Sequence, residues 1–206
     1  IYSVRVTNPG GTAGGQGSST IRGRLTVTGV PTNTLSGSIP GGAFAEGGAY
    51  LVTGAASLGS STPIPPGTVI YVAGGATISL SGGGNINADG GIPGVSATAG
   101  QIVFTAQRSP GASVPSSGAW GGIDATSAAT SQIMMRNVVV EYGGGAGLAG
   151  INISGSGRTL RFTDGIIRNS SGSGLRALGT NDSVVGFARN RIENNGLSVN
   201  DPALLL

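Results

Sequence analysis

The 206-residue chain contains no cysteine and no histidine, and its 11 basic residues are all arginine. Without cysteine the protein can form neither a disulfide framework nor a thiolate nucleophile. Charged residues make up only 9% of the chain and aromatic residues 4%, which limits the chemistry its side chains can perform. No apolar run approaches the roughly 18 residues that a membrane-spanning helix needs, so we expect no transmembrane segment. These absences leave the cellular compartment open.

The excess of positive charge is small and does not predict a nucleic-acid partner. The net charge is only +3, and the pI near 10 arises because no lysine or histidine titrates between the arginines and the 8 acidic residues. A nucleic-acid binder usually concentrates basic residues on one face. Here the first arginines are scattered and the later ones alternate with acidic residues along the chain. We therefore expect no nucleic-acid partner.

Glycine is abundant, with 41 of 206 residues, and it accompanies a repeated pattern in the last third of the chain. Val140, Ile167 and Ile192 occupy the same position in three β-rich segments, at offsets of 27 and 25 residues. The same offsets superpose two further apolar columns, and a glycine-aliphatic pair recurs around the repeat: Ile133, Leu160 and Val185; Met135, Phe162 and Phe187; Gly122-Ile123, Gly150-Ile151, Gly174-Leu175 and Gly196-Leu197. A period in the twenties with short strands and glycine turns is typical of a solenoid.

Burial explains why such a period predicts a coil of strands. A segment with apolar residues at alternate positions has one apolar face, which it cannot bury alone. Stacking the units in parallel buries the inward columns and pairs the backbone between rungs. Leucine-rich repeats have a similar length but need a leucine-asparagine consensus that is absent here. The repeat therefore predicts an all-β parallel β-helix.

The segment before the repeats is less regular. Residues 1–48 contain two alternating stretches among glycine, serine and proline, and Pro31 to Gly48 is mostly turn-forming, so we predict an N-terminal cap or strand segment. Residues 49–206 are predicted to form the β-helix. Its earlier strands are expected at 49–53, 68–73, 76–81, 85–88 and 101–105.

Two outward columns predict how neighbouring rungs are joined. Glu141, Arg168 and Glu193 share one column and should form an alternating ladder of opposite charges, worth about 0.2 to 1 kcal/mol per pair. Asn169 and Asn194 share another column, which suggests a stacked asparagine pair that closes a turn through its amides. Both columns are interpreted as structural.

Five motifs follow one another along the later part of the chain, at residues 66–72, 85–90, 101–105, 120–123 and 138–144. Their order resembles that of secreted bacterial right-handed parallel β-helix proteins of the pectate-lyase-like superfamily, and the resemblance covers about residues 49 to 200. It implies a right-handed coil that is secreted or lies at the cell surface. It does not imply one activity, because the superfamily includes lyases, hydrolases, phage tailspikes, adhesins and surface scaffolds.

The sequence does not predict a catalytic residue, a metal site or a cofactor. Pectin-hydrolysing members of that superfamily resemble one another in clustered aspartates with a histidine, which this chain lacks. Glu141 and Glu193 would lie two rungs apart, about 9.6 Å, which an inverting glycosidase could use. Arg168 between them should keep both ionised, leaving no proton donor. A calcium-dependent lyase needs about 6 to 8 oxygen ligands, which eight scattered acids do not supply.

Two aromatic residues are candidates for contact with a glycan. Trp120 is the only tryptophan, and it either stacks on a sugar or anchors a loop in the core; Tyr142 is the second candidate. Residues 145–150 match the dinucleotide pattern G-x-G-x-x-G, but a strand follows where that motif requires a helix. We interpret this segment as a turn.

Apolar residues at both termini suggest end-to-end contact with a neighbouring copy. An uncapped rung has unpaired backbone that can template another strand or subunit, and head-to-tail contacts build filaments when the rotation does not close. The alternative is that the chain is an excerpt whose next rungs follow. The residues expected at the contact are Ile1, Tyr2, Val4, Val6, Leu204, Leu205 and Leu206.

We therefore expect a non-catalytic extracellular structural protein, either a surface scaffold or adhesin module or a self-assembling fibre subunit. Its partners would be its own copies or further domains of the same chain. Two alternatives stay open at this point: a β-helix module that binds or degrades carbohydrate, and a fragment of a phage tailspike.

Overall fold

The computed structural model describes residues 31, 33–92, 100–108, 114–127, 130–179, 183–196 and 204–205. Of these residues 48% are in strands and 2% are helical, which confirms the expected all-β class. The strands are β1 (Asn33–Ile39), β2 (Ala49–Leu58), β3 (Ser61–Ile64), β4 (Val69–Val72), β5 (Ile78–Leu80), β6 (Asn85–Asp89), β7 (Ile102–Ala106), β8 (Ile123–Asp124), β9 (Gln132–Arg136), β10 (Val138–Glu141), β11 (Ile151–Asn152), β12 (Thr159–Thr163), β13 (Ile166–Arg168), β14 (Leu175–Arg176), β15 (Ser183–Ala188), β16 (Arg191–Glu193) and β17 (Leu204–Leu205).

The strand pairs among the described residues are all parallel and form two curled sheets. The first has the order β16-β13-β10-β7-β4-β2-β5-β8-β11-β14-β17, with β1 paired to β2, and the second has the order β15-β12-β9-β6-β3. Because the first half of β2 pairs with β4 and the second half with β5, the larger sheet consists of two ladders.

Three ladders of parallel strands therefore organise the molecule. Ladder 1 contains the first half of β2, then β4, β7, β10, β13 and β16; ladder 2 contains the second half of β2, then β5, β8, β11, β14 and β17; ladder 3 contains β3, β6, β9, β12 and β15. The chain visits ladders 1, 2 and 3 in constant order. This arrangement is compatible with the predicted parallel β-helix.

The predicted apolar columns form the core. Val140 pairs with Ile167 and Ile167 with Ile192, while Met135 pairs with Phe162. Phe162 in turn pairs with Phe187, and Ile123, Ile151 and Leu175 align in ladder 2. Inward residues of all three ladders belong to one buried hydrophobic cluster, so the columns read from the repeat are the interior of the protein.

Two positions of the predicted columns are wrong. Leu160 pairs with Val184, not with Val185, because a bulge after Leu160 makes Val185 an extra residue that is 59% exposed. In ladder 2 the partner of Leu175 is Leu204. Gly196 does not align with Gly174 as the repeat predicted, because its N–H donates to Gly172 O at 2.8 Å. Leu197 lies outside the described residues.

The corners of the ladders contain residues in the left-handed conformation. The first set connects ladder 3 to ladder 1 and consists of Asn137, Asp164 and Arg189. The second set follows ladder 1 and consists of Tyr142, Asn169 and Asn194. All six residues have φ between 52° and 62°. The predicted column of Asn169 and Asn194 is thus confirmed as a turn position. The amides that bridge the turns at Asp164 and Asn169 belong to other asparagines, as the contacts below show.

Asn190 and Asn195 cross-link the last two rungs at these corners. The Nδ2 group of Asn190 donates to Phe162 O at 2.6 Å, and its Oδ1 accepts from the N–H of Gly165 at 2.9 Å. Asn195 makes the same pair of bonds, to Ile167 O and from the N–H of Ser170, both at 2.9 Å. The prediction that Asn169 and Asn194 supply the amides is therefore wrong. Their left-handed backbone makes turns, while Asn195 bridges the turn at Asn169 and Asn190 bridges the turn at Asp164.

Two strands lie in segments where the sequence did not predict a strand. β1 occupies part of the stretch from Pro31 to Gly48, and it pairs with β2. β3 includes Pro63, whose missing N–H would ordinarily exclude it from a strand. Among the described residues β3 is the first strand of ladder 3, and an edge strand tolerates a proline.

Candidate functional site

The two aromatic candidates meet, but as part of the core. Trp120 is fully buried, and its Nε1–H donates to the carbonyl of Glu141 at 2.9 Å. Its backbone N–H lies 3.5 Å from Tyr142 O, and Tyr142 is half-buried against the same core. A buried indole presents no ring face to a sugar, so the structure places Trp120 in the loop-anchoring role.

The predicted charge column on ladder 1 is present in part. Glu141, Arg168 and Glu193 are aligned, and Arg168 Nη2 lies 2.6 Å from Glu141 Oε2. The other oxygen of Glu141 accepts from Thr105 Oγ1 at 2.9 Å. Glu193 instead pairs with Arg191 of its own strand, at 2.5 Å. Glu141 is therefore fully engaged and is separated from Glu193 by a guanidinium.

The remaining carboxylates of the strands and corners are also committed as acceptors. Asp124 accepts from the N–H and Oγ1 of Thr126 at 3.1 and 3.0 Å, and from Asn152 Nδ2 at 3.2 Å. Within the described residues, no group of three or more acidic side chains could hold a metal ion. Among the residues that the structure describes, no helix is long and apolar enough to cross a membrane.

Charges alternate along the corner between ladders 3 and 1. Arg136 donates two hydrogen bonds of 2.7 and 2.5 Å to the carboxylate of Asp89. Arg189 donates two hydrogen bonds of 2.5 and 2.7 Å to the carboxylate of Asp164. The hydrogen bond from Arg189 lowers the pKa of Asp164 against a desolvation effect, and the charges of Arg189 and Arg136 add to it. Each ion pair joins a strand or turn of one rung to that of the next, so the two pairs cross-link the rungs at this corner.

Asp89 shows the same balance in a more exposed place. Desolvation alone would raise its pKa, but the hydrogen bonds from Arg136 and from the N–H of Gly91, with the charge of Arg136, bring the pKa below the ordinary value of 3.8. Its side chain remains 52% exposed, so solvent screens most of the attraction.

We expect Asp89→Asn to destabilise the protein only at pH values where the Asp89 carboxyl is ionised. A carboxylate whose pKa is lowered on folding stabilises the fold above its unfolded pKa, and that contribution is lost as pH falls through the folded pKa. Urea denaturation should show the variant less stable by up to about 1 kcal/mol at pH 7, with the difference shrinking as pH falls below 3.8 and through the lowered folded pKa of Asp89. The same difference at every pH would show that packing, not charge, is responsible.

A shallow groove of about 220 Å³ crosses the outer face of ladder 3. Two outward columns line it: Asn87, Met134 and Arg161, and beside them Asp89, Arg136 and Thr163. Arg136 is neutralised by Asp89, whereas no ion pair forms at Arg161 among the described residues. The groove is therefore polar, carries one net positive charge and has a methionine in its centre.

The last rung forms an edge at the C-terminal end of the ladders. β15, β16 and β17 each have a strand partner on one side only within the described residues. Leu204, one of the residues expected at an end contact, is in β17 and is 37% exposed. Ile1, Tyr2, Val4, Val6 and Leu206 lie outside the described residues, as does the side chain of Leu205.

Sequence reasoning missed the groove and the amide cross-links of Asn190 and Asn195. The groove joins residues of three rungs, and the step from Asn87 to Met134 is 47 residues, far from the 25 to 27 of the later rungs. The only sequence signal for the cross-links was the position of the asparagines: Asn190 follows Arg189, and the pair Asn194-Asn195 follows Glu193.

Comparison with protein-family models, curated proteins and solved structures found no match to this chain.

Proposed function

We propose that this protein is a non-catalytic structural element, a right-handed parallel β-helix that is secreted or displayed at a cell surface and contacts its neighbours through its ends. The constant visiting order of the three ladders supports the coil. Parallel strand connections are right-handed in about 98% of cases, which supports the handedness. The sequence resemblance to secreted β-helix proteins supports the location.

The state of the carboxylates supports a structural role. Asp89, Glu141, Asp164 and Glu193 each bind an arginine, and Asp124 caps a turn. A general acid must hold a proton near neutral pH, which requires burial or a neighbouring negative charge. At Asp89 and Asp164 the guanidinium partners lower the pKa instead. The ion pairs of Asp89, Glu141 and Asp164 join successive rungs, a role that suits a structural protein better than catalysis.

The single observation that carries the end contact is the incomplete burial of the last rung. Leu160, Phe162 and Ile167 are fully buried, but the residues that continue their columns, Val184, Phe187 and Ile192, are only half-buried. The apolar columns therefore reach solvent at this end, where another copy or domain would cover them.

The same edge also limits the kind of contact that is expected. The bulge at Val185 and the exposed Arg189 and Arg191 are features that hinder uncontrolled strand addition. We therefore infer that neighbours meet the end mainly through side chains, giving a reversible contact.

The end contact is tested by sedimentation velocity and electron microscopy over a range of concentrations. We expect the apparent mass to rise with concentration, and Val185→Lys to raise the apparent dissociation constant by at least about tenfold, because a charge on the terminal strand opposes apolar contact. Val185 is exposed, so the change should leave the fold intact.

Val114→Lys is the matched control, because Val114 is equally exposed, at 60% against 59%, but lies in the loop between β7 and β8. It should assemble like the unmodified chain. Dispersed monomers at all concentrations would overturn the proposal, and equal effects of both variants would show that net charge rather than the end is responsible.

A further inference from the structure

The groove on ladder 3 contains one arginine that the fold leaves available. The side chain of Arg161 is exposed on the outer face of β12. Its neighbour Arg136 is bound by Asp89 through two hydrogen bonds, whereas no described acidic residue pairs with Arg161. A guanidinium with its donors unoccupied is suited to bind a carboxylate in a bidentate manner.

The next rung makes room for this side chain. Gly186 of β15 lies directly opposite Arg161, and a Cβ atom at Gly186 would come within 3.1 Å of Arg161 Cγ and 3.3 Å of its Nε. The Arg161 side chain therefore lies across the glycine. Any larger residue at 186 would displace it, so the guanidinium is positioned by its neighbour as well as by its own strand.

The rest of the groove restricts what can accompany a carboxylate. Met134 precedes Arg161 in the same column, one rung of about 4.8 Å away, and offers a flexible apolar surface. The described residues that line the groove include no aromatic side chain on which a sugar ring could stack. Asn87 and Thr163 provide polar groups at the margins.

We propose that this groove binds an acidic peptide segment of a partner protein, in which a glutamate or aspartate side chain pairs with Arg161 and an adjacent aliphatic side chain packs on Met134. The net positive charge of the groove matches such a segment. The lining residues of the groove are on β6, β9 and β12, whereas the proposed end contact is on β15, β16 and β17.

Methionine-methyl NMR can test this directly, because the chain has 2 methionines and they lie on opposite faces of β9. Both methionines border the groove, but the side chain of Met134 is on the outer face of β9, whereas Met135 is only 2% exposed and belongs to the hydrophobic core. With a capped Leu-Glu-Leu-Glu peptide as the probe, the Met134 methyl signal should shift on titration and the Met135 signal should not. The matched Leu-Gln-Leu-Gln peptide should bind at least about tenfold more weakly.

Three variants separate the role of Arg161 from that of overall charge. Arg161→Gln should weaken peptide binding by about tenfold or more, and Gly186→Leu should weaken it although it removes no charge. Arg108→Gln, an equal loss of charge beside Tyr71 of ladder 1, should leave the affinity unchanged. Thermal melting of each variant verifies that it is folded.

Several results would overturn the proposal. These are equal affinity for the two peptides, an unchanged affinity in Arg161→Gln, or simultaneous shifts of both methionine signals. An acidic oligosaccharide that moves the Met134 signal where the peptide does not would also overturn it, since it would identify the ligand as a glycan.

Discussion

Replacing Phe162 with alanine should lower the free energy of unfolding by about 3 to 5 kcal/mol, the largest single effect that we expect from truncating a core residue. Phe162 is fully buried in β12, between Met135 of one rung and Phe187 of the next. Its ring stacks on that of Phe187 with centroids 6.1 Å apart. The truncation therefore opens a cavity in the middle of a column, where neighbours on both sides are held by their own strands.

Urea denaturation followed by tryptophan fluorescence would measure this effect. Trp120 is the only tryptophan and is buried, so its emission should report loss of the core. Phe187→Ala is the internal comparison, because it removes the same ring from the half-buried last rung and should cost clearly less. Equal costs at the two positions would contradict the assignment of Phe187 to a partly open end.

Gly122→Ala should destabilise the protein by about 2 to 4 kcal/mol, although it adds only a methyl group. Gly122 precedes β8 with a φ of 95°, where residues with a Cβ atom are strained. The added Cβ would also lie 2.9 Å from the carbonyl oxygen of Gly150, which accepts a 3.0 Å hydrogen bond from the N–H of Ile123. The substitution thus strains the turn and displaces a backbone bond between rungs.

Gly75→Ala separates these two causes. Gly75 has a φ of 75° but nothing within 4 Å of the added Cβ, so it should show the conformational cost alone, about 1 kcal/mol. Thermal and urea denaturation of the two variants would give the difference. A cost for Gly75→Ala as large as that of Gly122→Ala would show that the close approach of the rungs at Gly122 is unimportant.

The repeat predicted the interior well because burial at alternate positions is a local property of each strand. Val140, Ile167 and Ile192 could be aligned by spacing alone, and they are paired in the structure. Where one extra residue entered a strand, the same reasoning failed, as at Val185. A bulge changes the register by one position without changing the composition of the segment, so the spacing carries no record of it.

The corners were harder to predict than the strands. Asn169 and Asn194 were identified as turn residues, but the cross-linking amides are those of Asn190 and Asn195. Whether an asparagine makes a turn with its backbone or spans it with its side chain depends on how the next rung is placed. That placement is a tertiary property.

The candidate binding surface was not predictable from the sequence. Its lining residues meet because β6, β9 and β12 are neighbours in ladder 3. Asn87 and Met134 are paired there, although the turn of the chain that connects them contains long insertions. Arg161 faces a glycine of the next rung, whereas the neighbouring Arg136 faces an acid of the preceding one. Composition and spacing do not distinguish these cases.

The amino-acid sequence by itself determined the all-β class, the parallel stacking of the later strands and the residues of their inward columns, because each follows from short-range alternation and a nearly constant period. Only the tertiary structure decided which outward side chains meet, and whether an outward arginine such as Arg136 or Arg161 faces an acid or a glycine. Those features depend on insertion lengths, bulges and turn geometry, which set the position of one rung against the next.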